Sequence, residues 1–207
     1  MAAKIKLAVI YYSSTGTNYE LAKWAVEAAQ QTGAEAKLLK VPELASQDAI
    51  DGNPAWKSHY EATRHVAEVS LNDLDHSDAF IFSFPTRYGN VPAQVKQFMD
   101  TTGNLWFNGK LINKVVSAMT SAQNPHGGQE STLLAFYNTM FHWGAIIAAP
   151  GYTSDVIYEA GGNPYGTSVT ANGQGLTEAT RKAVAHQVER TLQIAGWIKT
   201  GQEGSSE

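Results

Sequence analysis

The chain has 207 residues, of which 43% are hydrophobic and 16% charged, and its formal charge is −4. It contains no cysteine, which excludes disulfides, thiolate catalysis and zinc–thiolate sites. The mild acidity argues against a general nucleic-acid binder, which would carry a basic face. No apolar run approaches the ~18 residues of a membrane span. A first strand starting at Ile5 leaves no room for a signal peptide, so a cytoplasmic location is expected.

In chain order, Ile5 to Tyr11 reads as a buried strand. Leu21, Trp24, Ala25, Ala28 and Ala29 recur at helical spacing, and Gly33 closes that helix. Glu35 to Val41 is a second strand, ended by Pro42. Residues 43–70 are polar and mixed, an excursion with some helix, and Leu71 to Leu74 is a short helical turn. Ala79 to Phe84 is a third strand stopped by Pro85, and Pro92 stands at a first helical position before Val95, Phe98 and Met99. Lys114 to Met119 is a fourth strand. Leu133, Phe136, Tyr137, Met140 and Phe141 mark the next helix, and Ala145 to Ala149 a short fifth strand. Residues 151–175 are rich in Gly, Asn, Ser and Tyr, too aperiodic for core and too long for an idle loop. Val184, Val188, Leu192 and Ala195 place the last helix, and 201–207 reads as a polar tail. The reading is a single domain over 1–200 with an insertion around 151–175. Five strands alternating with helices predict a doubly wound parallel α/β sheet covered on both faces, a three-layer α/β/α fold. Ligands of such sheets bind outside the C-terminal strand ends.

Three segments follow strands one, three and four and therefore converge. Ser13, Ser14, Thr15, Gly16, Thr17 and Asn18 form a hydroxyl-rich loop before a helix, suited to one phosphate held by hydroxyls, N–H groups and the helix N-terminus. The loop has neither the Gly-Lys-Ser/Thr of a triphosphate loop nor the Gly-x-Gly-x-x-Gly of a dinucleotide site. Pro85, Thr86, Arg87, Tyr88, Gly89 and Asn90 form a turn that can meet the edge of a planar ring. Ser121, Ala122, Gln123, Asn124, Pro125, His126 and Gly127 form the third loop, whose glycines allow close backbone approach. Gly103 to Gly109 reads as a loop that presents Trp106 and Phe107.

These pieces together resemble the WrbA family of flavodoxin-like NAD(P)H:quinone oxidoreductases. The matches are Tyr11-Tyr12-Ser13 with Gly16, Pro85-Thr86-Arg87-Tyr88-Gly89-Asn90, Thr101-Thr102-Gly103-Asn104-Leu105-Trp106, Gly127-Gly128-Gln129-Glu130 and Gly162-Asn163-Pro164-Tyr165-Gly166. The resemblance implies a flavodoxin-like strand order 2-1-3-4-5, FMN as cofactor, NAD(P)H as co-substrate, quinones as acceptors and a homotetramer. It implies that Ser13 to Asn18 hold the phosphate, that Pro85 to Asn90 meet the flavin ring and that 121–127 flank it. Trp106 takes the place of the family's aromatic substrate contact, and His142 that of its flavin-facing, catalytic histidine. The sequence departs from the family at Thr15, where an aromatic linked to nicotinamide binding is common. It departs again in the loop 121–128, which is one residue longer. His142 lies about 20 Å along its helix from Gly128, so the expectation is that it serves a neighbouring subunit. The alternatives at this stage are a flavodoxin-type electron carrier and an FMN-dependent reductase of another aromatic acceptor.

Overall fold

The computed structural model describes residues 4–172 and 175–204. In chain order the elements are β1 (Lys6–Tyr11), α1 (Thr17–Gln31), β2 (Glu35–Lys40), α2 (Gln47–Asp51), α3 (Pro54–Ala62), α4 (Leu71–His76), β3 (Ala79–Pro85), α5 (Ala93–Asp100), α6 (Gly103–Phe107), β4 (Val115–Ala122), α7 (Gln129–Trp143), β5 (Ile146–Ile147), α8 (Asp155–Glu159), β6 (Ser168–Thr170) and α9 (Glu178–Gly204). The strands run parallel in the order β2-β1-β3-β4-β5, and β6 also pairs with β4. This is the flavodoxin-like order.

Strand alternation sorts the core into two layers. Ala8 and Ile10 of β1 and Phe80, Phe82 and Phe84 of β3 face Val95, Phe98, Leu133 and Phe136 of α5 and α7. Leu7, Val9 and Ile81 point the other way, onto Leu21 and Ala25 of α1 and Val184 and Val188 of α9. Both layers consist of side chains removed almost wholly from water, at roughly 25 cal/mol per Å² of apolar area. Helix α1 ends as expected at Gly33, whose φ is 85°. The Gly33 amide donates to Gln30 O and the Ala34 amide to Ala29 O, closing the last turn.

Three readings need correction. The fifth strand is not one run over 145–149. Only Ile146 and Ile147 pair, with Val115 and Val116; Pro150 has no amide to extend the ladder, and the chain leaves. It returns as β6, where Ser168 to Thr170 pair with Thr120 to Ala122. The 151–175 stretch is thus an interruption of one edge position, and it does reach the core through Ile157 and Val169. Its return is fastened by the Tyr137 hydroxyl, which donates to Tyr165 O at 2.6 Å, and by Gln187, whose Oε1 accepts from the Thr167 amide at 2.8 Å. Gly166 is required there, because a Cβ would collide with Ala118 O. The second correction concerns 103–109, whose first five residues are the helix α6 rather than loop. It buries Leu105 and turns Trp106 and Phe107 outward. The third concerns the tail: α9 continues to Gly204, and residues 205–207 lie outside the described residues.

Candidate active site

The register places Tyr11 beside Ser83, Pro85 beside Ser121 and Ala122 beside Thr170. The loops that follow β1, β3, β4 and β6 therefore open on one edge, at the point where chain order reverses around β1. A cavity of about 260 Å³ lies there. It is lined by Ser13, Ser14, Thr15, Thr17 and Asn18 of the first loop, Pro85, Thr86 and Arg87 of the second, and Ser121, Ala122 and Gln123 of the third.

The first loop is shaped from within. Ser13 Oγ accepts from the Gly16 amide at 3.0 Å, which curls the chain into the left-handed Gly16 that starts α1. Among the described residues no side chain caps this helix. Its opening amides therefore lack the usual acceptor and are available to an anion. Asn18, 1% exposed, ties the loop to the sheet. Its Nδ2 donates to Ser83 Oγ (3.2 Å), its Oδ1 accepts from Ser121 Oγ (2.6 Å), and its carbonyl accepts from Ser83 Oγ (2.9 Å). The Asn18 side chain thus holds three segments in register.

The second loop is equally fixed. The amides and carbonyls of Arg87 and Asn90 bond each other, leaving Tyr88 at φ 53° and fully exposed at the tip. Thr86 Oγ1 accepts from the Gly89 amide and sits 2.6 Å from Thr132 Oγ1, while Ser131 Oγ donates to Gly89 O. The turn is therefore clamped to the first turn of α7. Contact is so close that a Cβ on Gly128, at φ 87°, would lie 2.6 Å from Gly89 Cα. Arg87 folds back, its Nη2 donating to Ser14 Oγ at 3.1 Å. This puts a cation across the cavity between the first two loops.

Not every residue singled out in the sequence meets this cavity. Gly16 shapes the loop from behind. Tyr88, Gly89 and Asn90 form its rim. Asn124 and His126 are exposed, Gly127 lies behind them, and Pro125 faces a different cavity with Gln129 and Thr170. Trp106 and His142 come together with each other instead: the Trp106 indole N–H donates to His142 O at 2.8 Å. They sit at the opposite end of α7, whose fifteen residues span about 22 Å. Three lining residues escaped the sequence reading, namely Asn53 and Trp56 of the polar excursion and Ala171 after β6. Only Ala171 directly follows a strand; Asn53 and Trp56 come from helix α3 and its cap, which carry no such signal.

A family model described as NADPH-dependent FMN reductase matches residues 5–156. The chain belongs to this family. It is accordingly an oxidoreductase, built around a flavodoxin-like sheet. A protein of Deinococcus radiodurans named NAD(P)H dehydrogenase (quinone) is 54% identical over 194 residues, covering 94% of this chain and 97% of that protein. One of the same name from Geotalea daltonii is 39% identical, covering 87% and 90%. The crystal structure of a WrbA-like flavodoxin from Agrobacterium tumefaciens superposes with a TM-score of 0.65 at 20% identity, covering 93% of this chain and 98% of that one. The resemblance to the WrbA family read from the motifs agrees with these matches. Among the described residues no helix is long and apolar enough to cross a membrane.

Proposed function

We propose that this protein is an FMN-dependent NAD(P)H:quinone oxidoreductase that reduces quinones by two electrons in a ping-pong sequence. The observation that carries this reading is the cavity itself. It brings four hydroxyl side chains and an uncapped helix N-terminus to one end, and a clamped turn with an arginine to the other. The donor set fits a monophosphate ester of a flat ring. It offers hydroxyls and amides to the phosphate, no lysine for a triphosphate, and the Pro85–Arg87 and Ser121–Gln123 segments for the ring edge.

FMN bound there supplies hydride chemistry between NAD(P)H and the acceptor. The residues of the chain do the rest. Ser13, Ser14, Thr15 and Thr17, with the amides of the first turn of α1, hold the phosphate, and Asn18 fixes their spacing. Pro85, Thr86 and Arg87, with the rim residues Tyr88, Gly89 and Asn90, meet the ring. The segment from Ser121 to Gly127 flanks it. Arg87 stabilises negative charge gained at the ring edge on reduction. Delivering both electrons together spares the cell the radical products of one-electron reduction, a role in oxidative stress. The reaction draws on NAD(P)H and so belongs in the cytoplasm, which supplies it.

Trp106 and His142 enter as residues of a neighbouring copy. Trp106 (54% exposed), Phe107 (81%), Ile112 (56%) and Phe141 (67%) crowd one end of the chain with apolar surface. Such surface fits self-association, here as a homotetramer whose sites are shared between subunits. Trp106 would then stack on flat substrates, and His142 would donate a hydrogen bond or proton to a quinone oxygen.

Absorbance of the purified protein with and without added FMN tests the cofactor, and failure to take up FMN would overturn the reading. Steady NAD(P)H oxidation with a benzoquinone distinguishes an enzyme from an electron carrier. Parallel double-reciprocal lines are expected from a ping-pong sequence; intersecting lines would reject that part.

A further inference from the structure

The cavity has a wall that no strand-end loop provides. Asn53 and Trp56, both from the excursion between β2 and β3, line it beside Thr15 and Thr17. Among the described residues Trp56 is its only aromatic lining. Helix α3, which carries Trp56, lies directly against the first loop. A Cβ on Gly16 would sit 3.5 Å from His59 Nδ1, and the His59 ring packs on Tyr19 of α1 at 5.4 Å between centroids. A small chamber of about 90 Å³ adjoins Trp56, lined by Tyr11, Lys40, His59 and Glu68 among others.

The placement of Trp56 is set by one carboxylate. Glu43 Oε2 accepts from the Trp56 indole N–H (3.3 Å) and the Tyr12 hydroxyl (3.1 Å). Its Oε1 accepts from Gln94 Nε2 (2.7 Å) and from the amides of Leu44 and Ala45. Glu43 thereby joins α3 to the end of β1 and to α5. Burial, with Glu43 adding to it, pushes the Tyr12 pKa up to about 12, so this hydroxyl remains a donor at neutral pH.

We propose that α3, through Asn53 and Trp56, closes the phosphate end of the cavity and makes the site selective for flavin mononucleotide over flavin–adenine dinucleotide, with Glu43 as the residue that positions Trp56. The proposal rests on the FMN reading above. A phosphate in the first loop has the sheet edge beneath it at Asn18, Arg87 across one side and α3 on the other. With the ring between the second and third loops, a second phosphate with its adenosine would extend away from it and meet Asn53 and Trp56. Selectivity of this kind is a difference of affinities, created by obstructing the larger ligand rather than by improving contacts to the smaller one.

The test is a competition on the full-length holoprotein, exchanged against equimolar FMN and FAD, desalted, and assayed for the bound flavin. The wild type retains FMN almost alone. Trp56→Ala, and Trp56→Leu as a second variant that keeps apolar bulk, raise the FAD:FMN ratio by about tenfold or more, equivalent to 1.4 kcal/mol. Trp56→Phe keeps the wild-type ratio. Glu43→Gln places an amide donor opposite the indole N–H and raises the ratio several-fold. A ratio unchanged in Trp56→Ala and Trp56→Leu overturns the proposal while leaving FMN binding intact. A wild type that holds no flavin overturns it together with the reading beneath it.

Discussion

The two ends of α7 hold the two sets of residues that the sequence marks most strongly, and they are built in opposite ways. At its N-terminal end the polar side chains are committed within one chain. Asn18 bonds Ser83 and Ser121, Thr86 meets Thr132, and Arg87 reaches Ser14. At its C-terminal end Trp106, Phe107 and Phe141 face outward, and Trp106 is tied to α7 by the bond of its indole N–H to the His142 carbonyl. A parallel sheet gathers every loop that follows a strand on one edge and sends every helix C-terminus to the other. Residues at both ends of one helix can therefore share a single active centre only when two copies of the chain meet. The first end should respond to mutation as a folded unit, the second as an interface.

The largest effect should come where the first end is tightest. Gly128→Ala places a Cβ in a left-handed conformation, which costs about 1–2 kcal/mol, and drives it against Gly89 Cα, at an overpacking cost of about 1–3 kcal/mol. Chemical denaturation should show a loss of about 3 kcal/mol on these grounds, with weakened flavin retention because the 85–90 turn is displaced. Next is Asn18→Ala, which strips the buried Ser121 hydroxyl of its acceptor and Ser83 Oγ of a donor. A loss of about 2 kcal/mol is expected. An unchanged denaturation midpoint would falsify the view that Asn18 holds three segments together.

Much of this end was legible in the sequence, for a physical reason. Buried parallel strands are continuous apolar runs, so Ala79 to Phe84 could hardly be misread, and Pro85 marked where the site begins. What escaped lacks that signal. Helix α3 buries none of its residues and so shows no apolar stripe, yet it brings Trp56 to the cavity. Helix α6 is five residues long with one buried side chain, too short for a period to register. The fifth edge position is split between Ile146–Ile147 and Ser168–Thr170; the first half stands out as an apolar run before Pro150, while the second is three residues within a polar, glycine-rich stretch and shows no strand pattern. The commitment of Asn18 to Ser83 and Ser121 joins residues 65 and 103 positions away, which local pattern cannot reveal.

A smaller effect is expected at the second end, and of a different kind. His142→Ala should leave the denaturation midpoint and FMN affinity unchanged, because the side chain is exposed. Quinone turnover should fall by about tenfold or more, as loss of a positioned proton donor implies. Trp106→Ala should raise KM for flat acceptors and shift the size-exclusion profile toward smaller species. Full activity of a dilute, monomeric sample would break the contrast between the two ends.

The smallest effect concerns His59, the histidine of α3 that abuts the first loop. Burial first, and Lys40 second, hold its pKa below the ordinary value of 6.5. Below that ordinary value the unfolded chain binds a proton here that the folded chain declines until a lower pH. Acid therefore favours unfolding, and this contribution to stability declines as pH falls through the window beneath 6.5. His59→Gln should flatten that part of the stability–pH curve and leave the neutral range alone, as read from denaturation midpoints across pH 5 to 7. Adding FMN to the wild type should flatten it as well, for the opposite reason. A phosphate dianion seated in the loop favours the protonated imidazole across Gly16 and lifts the folded-state pKa back toward the unfolded value. If FMN flattens the slope in the wild type and does nothing to the slope of His59→Gln, the phosphate lies within electrostatic reach of α3. If FMN leaves the wild-type slope intact, the phosphate lies elsewhere, and the division of labour between the two ends of α7 fails at its first step.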